Sequence, residues 1–364
     1  MNAITDFSPH RPCDDMTAWN DRLQMLEVIG IFEEAPQVRT FVFRSDEGTW
    51  FRYRPGQFVT LELPAAEGPL LRTYTLSSSP SRPFSIAVTV KAQADSVGTR
   101  WMFDNLVIGA RLRAYGPAGD FSHHSHPAGR YFFVSAGSGI TPTMSMLRWL
   151  SDCAPATDVA FVTCARRPRD IIFRRELELL ASRMPGLSLS FLVEEAPDGE
   201  VWSGHRGRID AARLPLVAPD FLEREIFCCG PEPFMHGLRA ILGDAGFDMA
   251  HYHEESFVRP AMPAPLAEMP AADAARQEAV AIRFAVSGVE AVAPAGQSVL
   301  QAARAAGVRI AAACESGLCG TCKVMKTAGE VEMSHNGGIL DDEIAEGYIL
   351  ACCSRPLGPV EIEA

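Results

Sequence analysis

Cysteine placement constrains this 364-residue sequence more than any other feature. Three cysteines, Cys314, Cys319 and Cys322, follow one another with four and then two intervening residues, and Cys352 comes after 29 more. Such close spacing indicates a metal site rather than a disulfide framework. Residues 1–15 contain no apolar segment typical of a secretory signal, so we expect a cytoplasmic protein, in which disulfides are rare.

The same spacing predicts the kind of metal site. A 2Fe–2S cluster takes four thiolates, and in the plant-type arrangement three of them share one loop with this spacing. Gly317 and Gly320 let the backbone of that loop bring N–H groups close to the cluster. The alternatives are ordinary buried cysteines or a structural zinc site, which usually has two short Cys/His pairs. The sequence context of residues 350–352 favours Cys352 over its neighbour Cys353. The predicted ligands are Cys314, Cys319, Cys322 and Cys352.

Composition excludes several classes of protein. Apolar residues make up 47% of the chain and charged residues 21%, which excludes a disordered or fibrous protein. No apolar stretch reaches the ~18–20 residues that a membrane-spanning helix needs. The net charge of −12 repels nucleic acid and anionic membrane surfaces, and it permits a basic protein partner.

The strand and helix patterns predict a multidomain protein. After a polar N-terminal extension, residues 1–22, short β-branched runs separated by turn residues predict an antiparallel β-barrel over residues 23–126. The clearest of these runs are 38–43, 58–63 and 84–90. Residues 127–258 alternate strands with helices, which predicts a doubly wound α/β domain with a parallel sheet. The strands are predicted at 131–135, 159–163, 187–193 and 225–228, and the helices at 143–150 and 173–182.

A proline- and alanine-rich segment separates the α/β domain from the cysteines. Residues 259–277 form the predicted linker, because their composition is typical of a semi-extended chain. Residues 278–364 form the third predicted domain. It opens with a strand at 280–286 and a helix at 298–306.

A motif on the barrel, Arg72-Thr73-Tyr74-Thr75, combines groups that bind a ring system and its phosphate. Arginine offers a planar fork of donors, tyrosine an aromatic face and threonine a hydroxyl. The string alone is explained better by a polar strand end. Gly98 and Thr99 strengthen the binding interpretation, because they precede a predicted helix at 100–106 whose N–H groups can receive a pyrophosphate.

A second motif, with sequence SAGSGITP at 135–142, lies between a predicted strand and a helix. Its glycines let the phosphates of a nucleotide approach the backbone, although the third glycine of the dinucleotide fingerprint is missing. Downstream, Cys228 and Cys229 end the last strand of this unit and precede Gly230-Pro231. A thiol at that end of the strand faces the ligand crevice, whereas a small buried hydrophobe is the alternative for one of the two.

Two further clusters are assigned to the solvent-exposed surface. His123, His124 and His126 have no carboxylate or cysteine close in sequence, so we expect an exposed loop rather than a metal site. The acidic run at 341–346 is typical of a solvated helix face, and docking of a basic partner is its alternative.

The motifs together resemble a known family. Arg-x-Tyr-Thr at 72–75, Gly-x-Gly-x-Thr-Pro at 137–142 and Cys-Gly-Pro at 229–231 resemble the ferredoxin–NADP reductase superfamily. A plant-type ferredoxin after the nucleotide domain resembles the order of the phthalate dioxygenase reductase group, and it implies a β-grasp fold for the third domain. The chain is most similar to reductase components of Rieske-type monooxygenases that act on glycine betaine and similar methylated ammonium compounds. The likeness extends over nearly the whole chain from about Trp19.

The resemblance implies roles for the matched residues of the barrel. Arg72 would bind a flavin phosphate, Tyr74 would lie against the isoalloxazine, and Thr75 would sit near its N5. Gly98 and Thr99 would receive a pyrophosphate, which favours FAD over FMN. Thr99 departs from the family pattern, because serine is usual at that position.

The resemblance also implies a nicotinamide site. Cys229 would sit by the nicotinamide, while Glu255 and Phe257 match the end of the nucleotide domain, where an aromatic residue covers the flavin or the nucleotide. Thr75, Cys229 and Glu255 are the predicted catalytic residues. The residues that would cradle the nucleotide are Gly137, Gly139, Thr141, Pro142, Gly230 and Pro231.

The choice between NADH and NADPH depends on three arginines. Arg166, Arg167 and Arg169 follow the second strand of the nucleotide unit, where arginine can accept a 2′-phosphate. A solvated basic loop explains them at least as well. Because relatives of this kind mostly use NADH, we expect NADH, with NADPH as the alternative.

These observations predict an electron-transfer enzyme. Electrons would pass from NAD(P)H through FAD and a 2Fe–2S cluster to a terminal Rieske-type oxygenase, so the organic substrate would not touch this chain. A reductase for another acceptor, such as a hybrid-cluster protein or an acyl-CoA epoxidase, would share every motif. A non-catalytic redox sensor is the third possibility, and the intact nicotinamide motifs argue against it.

Overall fold

A computed structural model describes residues 24–364 except 46–49, 65–68, 94–95, 198–200, 258–278, 295, 311, 313–314, 316, 318–319, 336–337 and 340. The predicted N-terminal extension, the predicted linker and the predicted ligands Cys314 and Cys319 lie outside the described residues. No helix in the described part of the chain is long and apolar enough to cross a membrane.

The first domain is an antiparallel barrel of six strands and one helix. Its elements are β1 (Gln24–Ala35), β2 (Val38–Ser45), β3 (Phe58–Leu63), β4 (Leu70–Thr75), β5 (Ile86–Lys91), α1 (Val97–Asn105) and β6 (Arg111–Ala118). The strands run in the order β4-β3-β6-β1-β2-β5, and a bridge between Leu76 and Val88 joins the two edges. Alternating apolar residues such as Phe41, Phe43 and Leu61 fill the barrel and are shielded from solvent.

The second domain is a parallel sheet with helices on both faces. Its elements are β7 (Arg130–Ala136), α2 (Ile140–Cys153), β8 (Asp158–Ala165), α3 (Arg174–Arg183), β9 (Leu187–Val193), β10 (His205–Arg206), α4 (Leu214–Val217), β11 (Glu225–Cys229), α5 (Glu232–Asp244) and β12 (Tyr252–Glu255). The strand order is β10-β9-β8-β7-β11-β12, and every pairing is parallel. Phe133 packs with α2 and α3 on one face, whereas Phe132 packs with α5 on the other.

The third domain has a mixed sheet covered by one main helix. Its elements are β13 (Val280–Phe284), β14 (Val289–Ala293), α6 (Val299–Ala305), β15 (Lys323–Ala328), β16 (Val331–Met333), α7 (Asp341–Ala345), β17 (Tyr348–Leu350), β18 (Ser354–Pro356) and β19 (Val360–Ile362). Five strands run in the order β14-β13-β19-β15-β17, with β13 and β19 parallel, and β16 pairs with β18. Ser298 and Gln301 form a capping box that starts α6.

Specific contacts hold the first two domains together. Arg148 on α2 donates to the carbonyl of Ser77, at 2.5 Å, and is itself held by Glu176 at 2.6 and 2.8 Å. Ser145, one helical turn earlier, donates to the carbonyl of Ser78 at 2.6 Å. Since Ser77 and Ser78 directly follow β4, helix α2 fixes the end of the strand that carries the predicted flavin-binding residues.

The predicted three-domain fold is confirmed, and two helix starts were predicted wrongly. Helix α1 begins at Val97 rather than at residue 100, because Ser96 caps it by accepting from the N–H of Thr99. Gly98 and Thr99 therefore lie within its first turn. Helix α2 begins at Ile140 rather than at residue 143, since proline fits the first turn of a helix and Pro142 does not delay the start. The predicted domain boundaries remain predictions.

Candidate functional site

Three side chains form a row across the ends of neighbouring parallel strands. Cys229, the last residue of β11, pairs with Ser135 of β7 on one side and with Glu255 of β12 on the other. All three therefore lie at the carboxyl edge of the sheet, where ligands bind in open α/β folds. Ser135 was not predicted as a site residue, and its position at the end of the first strand is the signal that marks it.

Glu255 links this row to the barrel. The hydroxyl of Thr75, the last residue of β4, hydrogen-bonds to the Glu255 carboxylate. The second carboxylate oxygen, Oε2, is shielded from solvent and has no hydrogen-bond partner among the described residues. Burial raises the pKa of Glu255 to about 8, and the hydrogen bond from Thr75 only partly opposes that rise. The carboxyl group is therefore mostly protonated at neutral pH.

Cys229 and Cys228 are both completely buried. Burial first, and then the neighbouring Glu255, raises the pKa of the Cys229 thiol well above its usual value. The thiol therefore stays neutral and serves as a small, soft contact rather than as a nucleophile. Cys228 packs in the core on the α5 face of the sheet, as expected for one member of the pair.

The predicted flavin-binding residues of β4 lie against helix α1. Arg72 and Tyr74 are separated by one residue and so project from the same face of the strand. A Cβ atom at Gly98 would lie 3.0 Å from Cγ of Arg72 and 3.4 Å from the Tyr74 hydroxyl oxygen. Glycine at this position therefore lets the first turn of α1, including Thr99, approach the motif. The structure brings all four residues together, as the binding of a flavin and its pyrophosphate requires.

The two glycines of the nucleotide motif serve different purposes. A Cβ atom at Gly139 would lie 2.2 Å from the carbonyl oxygen of Cys229, so this glycine allows the turn before α2 to touch the end of β11. Gly137 has a φ of +56°, and no atom lies within 4 Å of a Cβ built there. Gly137 therefore leaves open backbone for a ligand. Only one of the two predicted glycines faces the space that a nucleotide would fill.

The remaining predicted nucleotide residues surround the same turn. Thr141 is buried and donates to the carbonyl of Ser138 at 3.1 Å, which stabilises the turn. Pro142 lies in the first turn of α2, while Gly230 and Pro231 lead from β11 into α5. Phe257 follows β12 and remains 47% exposed, next to the row formed by Ser135, Cys229 and Glu255.

Two of the four predicted cluster ligands are described, and they lie together. Pairing of Lys323 with Leu350 brings Cys322 and Cys352 side by side, although 29 residues separate them in sequence. Hydrogen bonding to the Cys322 thiol, and next to the neighbouring Cys353 thiol, lowers the pKa of Cys352, and the N–H of Gly317 adds to this effect. The Cys353 thiol also donates to the carbonyl oxygen of Leu350, at 3.7 Å.

These sites fit the groups that the sequence predicts. Cys322 and Cys352 present adjacent sulfurs next to a backbone donor, which suits an iron–sulfur cluster. At the carboxyl edge of the sheet, Ser135 Oγ and Glu255 Oε2 have no hydrogen-bond partner in the part of the chain that the structure describes, and they are the kind of buried polar atoms that a bound ligand satisfies. The cradle of Arg72, Tyr74 and Gly98 adjoins them through Thr75.

A contact between domains was not predicted from the sequence. The hydroxyl oxygens of Thr60 on β3 and Thr321 lie 3.2 Å apart, and Thr321 directly precedes Cys322. Thr60 is buried and pairs with Thr73, which lies between Arg72 and Tyr74. The loop that carries a predicted cluster ligand therefore rests beside the strand that carries the predicted flavin residues.

The expectation of an exposed histidine loop was wrong for His123, whereas His124 is exposed as expected and His126 is half-buried. His123 is only 3% exposed and packs against Trp149 and Tyr131, and burial lowers its pKa to about 3. His126 contacts a carboxylate and a second histidine that are distant in sequence. In the acidic run 341–346, Glu343 is paired with Lys323 at 2.5 Å.

Models of three protein families match this chain in succession. Residues 26–123 match the oxidoreductase FAD-binding domain, residues 133–240 the oxidoreductase NAD-binding domain, and residues 282–357 the 2Fe-2S iron-sulfur cluster binding domain. The order agrees with the observed barrel, parallel sheet and cysteine-containing domain.

Individual relatives match almost the entire chain. The stachydrine N-demethylase reductase subunit Stc4 of Rhizobium meliloti is 51% identical, over 96% of this chain and 98% of its own. The glycine betaine monooxygenase reductase subunit of Pseudomonas aeruginosa is 46% identical, over 95% and 96%. Among solved structures, phthalate dioxygenase reductase superposes with a TM-score of 0.58 and 22% identity, over 94% of this chain and 98% of its own.

Proposed function

This chain belongs to the family of monooxygenase reductase subunits that combine FAD-binding, NAD-binding and 2Fe–2S domains, and we propose that it serves an oxygenase acting on a quaternary ammonium compound. The proposed acceptor is a separate Rieske-type oxygenase that demethylates glycine betaine or a similar molecule. The observation that carries this proposal is 44–51% identity, along almost the full length, to reductase subunits named for stachydrine and glycine betaine.

Electrons pass from NAD(P)H through FAD to the 2Fe–2S cluster. Bound FAD supplies the conversion between a hydride, which carries two electrons, and the single electrons that the cluster accepts. The protein chain determines the order of the nucleotide, flavin and cluster sites and the distances between them. Arg148 and Ser145 hold the end of β4 against the nucleotide domain, and the contact of Thr60 with Thr321 brings the cysteine loop to the neighbouring strand.

We assign Thr75, Cys229 and Glu255 to the hydride-transfer site. Their placement in one connected group supports this assignment, because it joins the flavin strand to the edge of the nucleotide sheet. Protonated Glu255 leaves the site without a negative charge beside the arriving hydride. Thr75 holds the carboxyl group in place, and the neutral thiol of Cys229, buried at the end of β11, adds no charge beside the nicotinamide ring.

We further propose that NADH is the preferred donor. Arg167 pairs with Glu195 at 2.7 Å, and Arg208 pairs with the adjacent Glu194 at 3.1 Å. These carboxylates lie just beyond β9, next to the end of β8 where an adenosine 2′-phosphate would bind. The negative charge of these two glutamates repels a phosphate, and it neutralises part of the positive charge of the nearby arginines. The chemistry of the thiolate ligands, which require reducing conditions, supports a cytoplasmic location.

Reconstitution with separate oxygenases tests the proposed acceptor. The full chain, loaded with FAD and cluster, is mixed with NADH, glycine betaine and the oxygenase component for that substrate, and formaldehyde is measured. A phthalate oxygenase component, supplied with phthalate, serves as the matched acceptor, and because its reaction releases no formaldehyde the two acceptors are compared by substrate-dependent NADH consumption. We expect turnover with the first and little with the second. Equal turnover with both, or turnover only with a different class of acceptor, would overturn the proposed partner.

A variant of a cluster ligand tests whether electrons reach the oxygenase through the cluster. Cys352→Ser should abolish oxygenase turnover while ferricyanide reduction by NADH continues, because that small acceptor takes electrons directly from the flavin. If the variant supports the oxygenase as well as the unchanged protein does, electrons leave from the flavin and the cluster is not the exit.

A further inference from the structure

A group of metal-binding side chains lies away from the redox site. We propose that His126, Glu225 and His253 bind a divalent transition-metal ion, for which Zn²⁺ is the best match. One ligand atom from each of the three lies within 4.8 Å of the others. Nε2 of His253 is 2.5 Å from Oε1 of Glu225, and the rings of His126 and His253 stack with centroids 3.6 Å apart.

The donor set has the composition of a zinc site. Two imidazoles and one carboxylate, completed by water, form a common tetrahedral arrangement around Zn²⁺. With bonds of about 2.0–2.1 Å, the ligand atoms of such a site lie about 3.4 Å apart. Reaching that spacing from the observed separations requires shifts of about 1 Å, which are within the range of side-chain rotation. A bound ion would replace the proton now shared by His253 and Glu225.

The surroundings prepare the side chains for an ion. Nδ1 of His251 lies 2.8 Å from Oε2 of Glu225, so this histidine orients the carboxylate from outside the site. The side chains of Glu225 and His253 are only 11% and 15% exposed, which limits competition from water.

The position of the site points to a structural role. His126 lies in the connector between β6 and β7, Glu225 begins β11, and His253 lies within β12. An ion would therefore fasten the segment between the barrel and the nucleotide domain to two strands of the nucleotide sheet. Glu225 is four residues from Cys229 along β11, or about 13 Å in an extended strand, and His253 is two residues, or about 7 Å, from Glu255 along β12, so the ion would lie next to the hydride-transfer site without binding its residues.

Zinc titration of the fully loaded protein tests the proposal. Full occupancy by FAD and cluster keeps the cysteine loop from taking zinc, and a mild chelator first removes loosely bound ions. Calorimetry and elemental analysis should then show one Zn²⁺ per chain in addition to the cluster iron, together with a rise in melting temperature. His126→Ala and His253→Ala should each weaken binding by about tenfold or more.

One control variant and two further tests make the result specific to the proposed ligands. His236 is exposed on α5, so His236→Ala should bind zinc as the unchanged protein does. Glu225→Gln keeps the size of the side chain but removes its charge, and it too should weaken binding. Anomalous scattering at the zinc edge, from crystals of the unchanged protein, should place the ion between the three side chains. Absence of zinc uptake, an ion elsewhere, or undiminished binding after both histidines are replaced would overturn the proposal.

Discussion

The hydroxyl oxygens of Thr60 and Thr321 lie 3.2 Å apart and connect the flavin barrel to the loop that carries Cys322. Thr60 is buried and Thr321 is half-buried, so the contact is partly shielded from solvent. Its register partner on the next strand, Thr73, lies between Arg72 and Tyr74. The hydroxyl pair therefore joins the third domain to the face of the sheet opposite to Arg72 and Tyr74.

Thr60→Val should slow electron transfer from flavin to cluster. Valine keeps the shape of threonine but cannot form the hydroxyl contact with Thr321, so the loop that carries Cys322 is held less closely to β3 and the rate of cluster reduction should fall. Anaerobic stopped-flow mixing with NADH should show normal flavin reduction followed by slow cluster reduction. Thr327→Val, on the exposed part of β15, is the control and should leave both phases unchanged. Unaltered cluster reduction in Thr60→Val would show that the contact has no part in alignment.

Flavin reduction should become slower as pH rises through about 8, the raised pKa of Glu255. Above that pH the carboxyl group is ionised, and its negative charge opposes the arriving hydride. Glu255→Gln should remove this pH dependence in stopped-flow reduction by NADH. A wild-type profile that is flat across this range would contradict the assignment.

The same pKa has a consequence for stability. Because the folded-state pKa of Glu255 is raised from about 4.5 to about 8, the folded protein binds more protons than the unfolded chain between those values. The protonated carboxyl group of Glu255 therefore adds to the free energy of unfolding at low pH, and this contribution is lost as pH rises through this window. Thermal unfolding of Glu255→Gln and of the unchanged protein should show the variant gaining relative stability from pH 5 to pH 9. A constant difference between them would contradict the raised pKa.

Gly139→Ala should disrupt nucleotide binding. The new Cβ atom would lie 2.2 Å from the Cys229 carbonyl oxygen, so the turn and β11 must separate. We expect a loss of about 1–3 kcal/mol in the free energy of unfolding and a higher KM for NADH. Gly137→Ala is the matched substitution two residues earlier, where only the positive φ is strained, at a cost of about 1–2 kcal/mol. A smaller effect at residue 139 than at residue 137, in thermal denaturation and NADH titration, would refute this packing argument.

Cys352→Ser should remove the iron–sulfur cluster, whereas Cys353→Ser should retain it. The thiols of these two adjacent cysteines hydrogen-bond to each other, but Cys322 has the largest effect on the pKa of Cys352, and the Cys353 thiol also donates to the Leu350 carbonyl. Iron and labile-sulfide analysis, together with visible absorption after subtraction of the flavin, gives the measurement. Loss of the cluster from the Cys353 variant alone would reverse the ligand assignment.

NADH should reduce the flavin faster than NADPH. Glu195→Gln should bring the rates of flavin reduction by the two nucleotides closer together. The substitution removes a negative charge from beside Arg167, which then has more positive charge to offer to a 2′-phosphate. Stopped-flow reduction with both nucleotides at equal concentration measures the ratio. Glu178→Gln, on α3, removes a comparable surface ion pair and should not alter the ratio. A preference for NADPH in the unchanged protein would contradict the proposed donor.

Local sequence patterns predict much of this fold because they depend on neighbours in the chain. The strand at 187–193 is observed with the predicted bounds, since its apolar residues and its flanking turn are sufficient to define it. The start of α1 was missed because a single serine cap outweighs the poor helix propensity of Gly98. Both outcomes concern interactions that span only a few residues.

Contacts between distant segments could not be predicted in the same way. Thr75 and Glu255 were each predicted from family motifs, but their hydrogen bond depends on how α2 docks against the end of β4. His126 was expected to be solvated because no ligand lies near it in sequence. The parallel register of β11 and β12 is what brings Glu225 and His253 within reach of it.

The position of β12 makes it a mechanical link. This strand lies at the edge of its sheet, pairs with β11 from Ile226 to Cys229, and ends at Glu255, shortly before the chain continues toward the third domain. A pull from that domain would act along β12 and would strain the hydrogen bonds between β12 and β11. Glu255 is the residue of the proposed hydride-transfer site that such a pull would reach first. A pull on the chain beyond β12 would therefore act first on the residue that carries the site's proton.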